Sequence, residues 1–496
     1  MLNRRELLKR AAQLSAVAAL GPALALAEEA PQGAEVNDSQ SLLNPTHVRG
    51  IVRPEKVDEL AALVRAAGRE RRAVCVSGGR HAMGGQQFAT NDWLVDIRGL
   101  NQVERLDAER GTVTVQSGVE WPALIEELDR RQAGVAKPWT IRQKQSGVDE
   151  VTLGGSLASN IHGRGLRYKP LVSDIESFML VDAAGQVRTC SRRENRDLFS
   201  LAVGGYGLFG IVTHLTLKLV PRQKLQRIVE VIPVKDFLGA VEQRIREGFV
   251  FGDCQYATNL ESAAEAHPGV FAAYRPVPDD TPPTPTPKQL TREEWTKLYQ
   301  LARTDKKRAF EVFSGFYSST SGQVYCSDRC QLSGSLAYYH DGVKLLPADQ
   351  RGTEVITEIY VPHEQLMPFL AAARDDFVKH NVDPTYGTIR LIERDDEAFL
   401  AWARERSVCI ICNLHVVHTE AGRQKAAADF RRIIDRAIEH RGRYYLTYHR
   451  HATRKQVEVC YPQFVDFLRL KKKYDPQELF QSDWYRHYQR MFADRV

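Results

Sequence analysis

The chain has 496 residues with a formal net charge of +6, and 43% of its residues are hydrophobic. That is enough chain for a large buried core and about two to three domains. The charge lies in mixed-sign stretches with no basic block interleaved with aromatics, which argues against nucleic acid as a partner.

Residues 1–27 read as a leader. Asn3-Arg4-Arg5-Glu6-Leu7-Leu8-Lys9 resembles a twin-arginine export signal. The apolar stretch that follows, about Ala11 to Ala25, is too short and too rich in alanine for a secure transmembrane helix, so stable membrane insertion is not expected. Ala25-Leu26-Ala27 before Glu28 fits a small-residue cleavage site. Export to the periplasm or outside the cell is the expectation; an uncleaved anchor or a plain basic amphipathic helix is the alternative.

Beyond the leader, Val57–Ala67 carries apolar residues at helical spacing, and a helix is expected from about Lys56 to Ala67. Ala73–Val76 reads as a buried strand that runs into a glycine-rich loop, Ser77-Gly78-Gly79-Arg80-His81-Ala82. Its backbone N–H groups can converge on an anion, Arg80 adds positive charge and His81 a nucleophilic ring nitrogen. Trp93–Ile97 and Val113–Val115 read as strands, and Trp121–Arg131 as a helix entered from Ser117-Gly118-Val119. Residues 151–165 form a second glycine-rich loop. Strands follow at Ile175–Val181 and Val187–Thr189, and Leu198–Val212 holds a third glycine cluster before a strand to Val220. Pro221 marks a change of composition and a domain boundary. From 225 to about 450, strands and helices alternate. Pro276–Pro287 reads as an extended proline-rich loop, Lys288–Phe313 as charged helices, and Lys425–His440 and Gln463–Lys473 as amphipathic helices.

The eight cysteines are too sparse for a disulfide framework in a chain this long. Cys409-x-x-Cys412, with His415 and His418 beyond, invites a zinc reading. The surrounding SVCIICNLHVVH reads as a strand, where residues three apart face opposite sides, so no metal site is expected.

Taken together, SGGRHAMGGQ (77–86), DIRGLNQV (96–103), SGVEW (117–121), TLGGSLASNIHG (152–163), GGYGLFGIVT (204–213) and KKYDPQELF (472–480) resemble the vanillyl-alcohol-oxidase superfamily of flavoproteins, with its PCMH-type FAD-binding domain. Cytokinin dehydrogenases, alditol oxidases and aldonolactone oxidoreductases are the similar branches. A Rossmann domain fits poorly, because its G-x-G-x-x-G opens a helix, whereas Gly204–Gly210 leads into β-rich IVTHLTL. The resemblance implies an α+β fold: a two-subdomain PCMH-type FAD-binding domain over 28–221, an α/β substrate or cap domain with an antiparallel sheet over 222–455, and a segment over 456–496 that returns to the FAD domain.

It also implies site residues. Ser77, Gly78, Gly79, Arg80, His81 and Ala82 would wrap the FAD pyrophosphate, and His81 holds the place of the histidine that many members bond to the flavin. A non-covalent site lined by the same histidine is the alternative. No cysteine lies between Cys75 and Cys190 to add a second bond. Thr152, Gly155, Ser159, Asn160, Ile161 and His162 resemble flavin contacts, with weaker matches at Gly118 and Val212.

Such enzymes move hydride from a C–H bearing OH or NH to the flavin while a base takes the other proton. The aspartate that cytokinin dehydrogenases place before T-x-G-G falls on Gly147, with Asp149 two positions away. The Glu-x-Arg pair of alditol-oxidase-like members falls on Thr388-Ile389-Arg390, which keeps only the arginine. Arg390 is the candidate stabiliser of substrate charge. His449, in Tyr448-His449-Arg450-His451, is a candidate base or part of an exposed loop. The resulting expectation is an exported FAD-dependent oxidoreductase acting on a small polar alcohol, sugar, lactone or amine, and reoxidised by O2 or an envelope electron carrier. A flavin-bearing binding or electron-relay protein is the alternative, and an NAD-linked enzyme a third reading.

Overall fold

The structure is a computed structural model that describes residues 33–261, 267–333, 347 and 350–496; the leader lies outside the described residues. It opens with a hairpin, β1 (Ala34–Val36) and β2 (Thr46–Val48). β3 (Gly50–Val52), β4 (Val74–Ser77) and β5 (Trp93–Asp96) form a parallel sheet in the order β3-β5-β4. Helix α1 (Val57–Glu70) lies against it because Leu60, Leu63, Val64 and Ala67 fall on one face, and they pack with Val52, Val74 and Val95. It starts with Glu59 accepting from the Lys56 N–H and stops at Arg71 in the left-handed conformation.

A larger antiparallel sheet follows in the order β10-β9-β11-β7-β6, with β8 (Trp139–Ile141) on β11. Its strands are β6 (Val103–Asp107), β7 (Thr112–Gln116), β9 (Ile175–Val181), β10 (Val187–Ser191) and β11 (Ile211–Pro221). Helix α2 (Trp121–Arg131) buries Trp121, Leu124, Ile125 and Leu128 in the same core as Val113, Val115, Phe178 and Leu215. Each such side chain contributes about 1.5–3 kcal/mol. The segment 151–165, expected as a loop, contains a helix, α3 (Leu153–Ser159). Thr152 caps it by accepting from the Gly155 N–H, and Asn160 ends it at φ 49°. Two adjacent glycines did not prevent a helix of seven residues that is capped at both ends. Helix α4 (Arg196–Ala202) precedes the third glycine cluster.

Two residues separate β11 from β12 (Lys224–Pro233), which belongs to a different sheet. That eight-stranded sheet runs β15-β12-β14-β13-β17-β18-β16-β19 and is antiparallel at every pairing. Its other strands are β13 (Phe251–Tyr256), β14 (Pro268–Val277), β15 (Val324–Cys326), β16 (Gly352–Pro362), β17 (Pro384–Ile392), β18 (Ser407–Val417) and β19 (Arg443–Tyr444). Helices α5 (Phe237–Arg246), α8 (Leu366–Lys379) and α9 (Glu420–Glu439) join its core through Phe237, Phe369 and Phe430. α6 (Arg292–Thr304) and α7 (Lys306–Ser318) are the charged pair between β14 and β15. On the other face, strand register aligns Gln255 with Thr388, Arg390 with Cys409, and Ile411 with Glu358.

The chain ends with α10 (Arg454–Cys460), α11 (Phe464–Tyr474) and α12 (Asp483–Met491). Between the last two helices, Phe480 bridges Val74 in parallel, and Leu479 and Phe480 join the α1 core. Asp475 accepts from the N–H groups of Leu479 and Phe480 and pairs with the fully buried Lys471. Among the described residues, no helix is long and apolar enough to cross a membrane.

Candidate active site

A cleft with about 1270 Å3 of empty space, its mouth included, runs between the two glycine-rich segments and the edge of the large sheet. One wall is the loop that leaves β4. Gly78 and Gly79 are required there by close packing. A Cβ on Gly78 would meet the Thr152 hydroxyl oxygen at 2.1 Å, and one on Gly79 the Glu150 carbonyl oxygen at 2.0 Å. Arg80 takes φ 62°, which turns the chain so that Gly79 to Ala82 line the cleft. The opposite wall is α3 with Ser159 and Ile161, and the third glycine cluster closes the end through Tyr206, Gly207, Gly210 and Val212. Tyr445, Thr447 and Tyr448 enter from the segment after β19.

The expected residues divide in two. Gly78, Gly79, Arg80, His81, Ala82, Thr152, Gly155, Ser159, Ile161 and Val212 line the cleft. Ser77, Gly118, Asn160 and His162 are not on its wall. Gly118 packs against the Ile97 and Leu100 carbonyls, and Asn160 holds Asp395 and the Val172 N–H. None of the three expected catalytic residues lines the cleft. Asp149 pairs with buried Lys144 at 2.8 Å and accepts from the Ser333 N–H. Arg390 lies 3.9 Å from Asp253. His449 packs at a tilt against Phe430 and is stacked on His451, with Nε2 3.3 Å from the Thr357 hydroxyl; burial holds its pKa well below the ordinary value.

His81 Nδ1 lies 3.3 Å from the Ser39 hydroxyl, and the ring also hydrogen-bonds the backbone of Glu150. Burial lowers its pKa, which keeps the imidazole neutral and nucleophilic near pH 7. Arg80 is likewise pushed down by burial. Gln40 Oε1, Arg80 Nε, Gln87 Oε1 and Ser117 Oγ belong to cleft-lining residues and are buried without a hydrogen-bond partner among the described residues. Unmatched polar atoms of this kind call for a polar ligand.

Tyr448 leads from the cleft wall into a buried network. Its hydroxyl donates to Glu358 Oε1 at 2.8 Å, and Tyr360 donates to Oε2 at 2.6 Å. His162 Nε2 lies 3.0 Å from the same Oε2, and its Nδ1 lies 2.9 Å from the Gly163 carbonyl, so Nδ1 carries a proton. Burial pushes the Glu358 carboxyl up, but His162 and the donated hydrogen bonds outweigh it and leave its pKa lowered. A carboxylate at Glu358 fixes the Tyr448 proton on its own side, which leaves the phenol oxygen free to act as an acceptor. Glu358 is the residue that sequence reasoning missed. Its signal was an acid amid the largely apolar end of β16, VITEIYVP, four residues after Glu354. Along β18 the pleat sends Cys409 toward His162 and Cys412 toward Tyr256.

The parallel sheet with its glycine loop, the antiparallel sheet beside it and the dinucleotide-sized cleft under a sheet-and-helix cap define an FAD-dependent oxidoreductase with a PCMH-type FAD-binding domain. Residues 48–191 match the model of an FAD binding domain, and residues 281–488 that of D-arabinono-1,4-lactone oxidase. These matches place the chain in the vanillyl-alcohol-oxidase superfamily with its PCMH-type FAD-binding domain, and the proteins it resembles are aldonolactone oxidases and dehydrogenases. It is 25% identical over 444 residues to the L-gulono-1,4-lactone dehydrogenase of Mycobacterium tuberculosis, which covers 88% of this chain and 95% of that protein. It is 32% identical over 170 residues to a putative D-arabinono-1,4-lactone oxidase of Neurospora crassa, over 34% of this chain and 29% of that one. The L-gulonolactone oxidase of Bos taurus is 25% identical over 198 residues, 40% of this chain and 43% of that protein.

Proposed function

We propose that this protein oxidises a CH–OH group of a sugar-derived lactone or acid, and that it does so outside the cytoplasm after twin-arginine export. The observation that carries the reading is the cleft itself. A glycine-lined cradle with unmatched polar atoms meets, at its other end, a tyrosine whose oxygen is placed to accept a hydrogen bond. FAD, when bound, supplies the hydride acceptor. The Gly78–Gly79 backbone and Arg80 hold the pyrophosphate, and neutral His81 is the group that tethers the flavin. Tyr448 accepts a hydrogen bond from the substrate hydroxyl and orients it, and as the hydride leaves, the hydroxyl proton moves to the phenol oxygen while the phenol's own proton passes to the Glu358 carboxylate. Glu358 and His162, both buried, fix Tyr448 in that polarity. O2 or an envelope electron carrier would be the terminal acceptor. The leader motif at Asn3–Lys9 supports export, because that route carries folded proteins already loaded with cofactor.

The test is anaerobic bleaching of the purified yellow protein with a panel of aldonolactones, aldonates and polyols. Loss of the visible flavin band with at least one of them is expected. A colourless preparation overturns the reading. A yellow protein that no member of the panel bleaches favours the electron-relay alternative, which Thr388 at the place of the family glutamate supports.

A further inference from the structure

On the face of the large sheet that carries Glu358, positive charge is left over. By strand register Arg227, Asp253, Gln255 and Arg390 share this face, and Lys144 and Arg164 meet them from the FAD-binding part. Lys144 is matched by Asp149 at 2.8 Å and donates to the carbonyls of Gln145 and Val148. Asp253 stands between two guanidinium groups, 4.0 Å from Arg164 and 3.9 Å from Arg390, too far to close a hydrogen bond with either. Arg227 is held by the hydroxyls of Tyr274 and Thr320 and has no carboxylate partner among the described residues. Four cations therefore face two carboxylates. Glu358, on the same face, is already engaged by His162 and two tyrosines.

The unmatched atoms tell the same story. Arg164 Nε, Arg390 Nε and Nη1, Asp253 Oδ1 and Gln255 Oε1 are buried with no hydrogen-bond partner among the described residues. The Arg390 and Asp253 side chains are only 7% and 4% exposed. A buried guanidinium without a counter-charge is costly, and a fold keeps one where a ligand supplies the charge. The donors ask for an anion with planar oxygens, and the two acceptors ask for hydroxyl groups beside it.

We propose that Arg390, Arg164, Asp253 and Gln255 form a substrate subsite for the carboxylate of a polyhydroxy acid. An open-chain aldonate, rather than the neutral lactone or polyol, is then the preferred ligand. Arg390 and Arg164 donate to the carboxylate, while Asp253 and Gln255 accept from its neighbouring hydroxyls. The assignment rests on the reading of the adjoining cleft as a site of CH–OH oxidation.

The test is calorimetric titration of the FAD-loaded full chain with gluconate, with glucitol as the uncharged match, and with inorganic phosphate. Gluconate is expected to bind at least about ten-fold more tightly than glucitol and to weaken as salt rises. Arg390→Gln and Arg390→Lys are each expected to lose about ten-fold or more for gluconate while keeping the wild-type flavin spectrum; the lysine variant keeps the charge but not the planar fork. Equal affinities for gluconate and glucitol in the unmodified protein overturn the subsite whatever the variants do. Phosphate binding as tight as gluconate overturns the carboxylate assignment. Bleaching by a neutral sugar-derived alcohol without gluconate binding sinks the subsite and spares the proposed function. Gluconate binding without bleaching by any sugar-derived compound does the reverse.

Discussion

Gly79→Ala probes the cradle directly. The new methyl carbon would sit 2.0 Å from the Glu150 carbonyl oxygen and 3.0 Å from His81 Cδ2. Real Cβ contacts do not fall below 3.0 Å, so loop and carbonyl must separate by about 1 Å. The obstacle is backbone, and no rotamer change relieves it. Overpacking of this kind costs about 1–3 kcal/mol, which is about 5- to 150-fold in FAD affinity if the strain is released when the loop swings out of its binding geometry. A displacement of about 1 Å at a reacting group costs on the order of a hundred-fold in rate, and His81 is the group displaced. The assay is flavin content of the purified protein, followed by acid precipitation at timed intervals after adding FAD to the refolded chain. Expected are a lower flavin content and a slow or absent yellow pellet, with the far-UV circular dichroism unchanged. Gly239→Ala in α5 is the control: nothing lies within 4 Å of its added Cβ, so that variant should match wild type or gain about 0.5–1 kcal/mol from helix propensity. Wild-type flavin content and tethering rate in Gly79→Ala would refute the crowding argument.

Other outcomes follow from the same geometry. Tyr448→Phe removes the hydroxyl of a cleft-lining side chain; flavin content should hold while kcat/KM falls by about ten- to a hundred-fold, and an unchanged kcat/KM assigns the substrate hydroxyl to another acceptor. Because burial lowers the His81 pKa below its ordinary value, the neutral nucleophile predominates from about pH 6.5 upward. Timed tethering assays should give a rate that is flat above that pH and falls only on the acid side; a rate climbing through pH 8 contradicts this. His81→Ala should move the yellow colour from acid pellet to supernatant. Asp475→Ala strands the buried Lys471 charge and frees the N–H groups of Leu479 and Phe480. A loss of about 3–5 kcal/mol is expected by urea unfolding, and a loss under about 1 kcal/mol means the pair is not buried in solution.

Local pattern made much of this fold legible. The apolar periodicity of Val57–Ala67 and Trp121–Arg131 marked α1 and α2 within a few residues, because each buries one stripe. The glycine loop after β4 was readable because close backbone packing admits few other residues. Helix α3 was not, since its glycines argue against a helix while its stability comes from Thr152 and Asn160 at its two ends. The candidate catalytic residues lie off the cleft wall, whereas most of the cofactor candidates line it. The cradle is contiguous in sequence, whereas the network at the far end of the cleft joins His162, Glu358 and Tyr448 from three separate stretches. His449 carries the more suggestive chemistry, but its neighbour Tyr448 faces the cleft. Which of two adjacent residues faces inward is set by the path of the chain after β19, and no residue type announces it.

The bridge from Phe480 to Val74 has a bearing on biogenesis. The edge that launches the cofactor loop gains its second neighbour only from residues synthesised more than four hundred positions later. The strand that launches the loop therefore stays half-paired until Phe480 has been made. Cofactor capture thereby waits on a distant segment, and a chain clipped before Phe480 would be left pale rather than merely less stable.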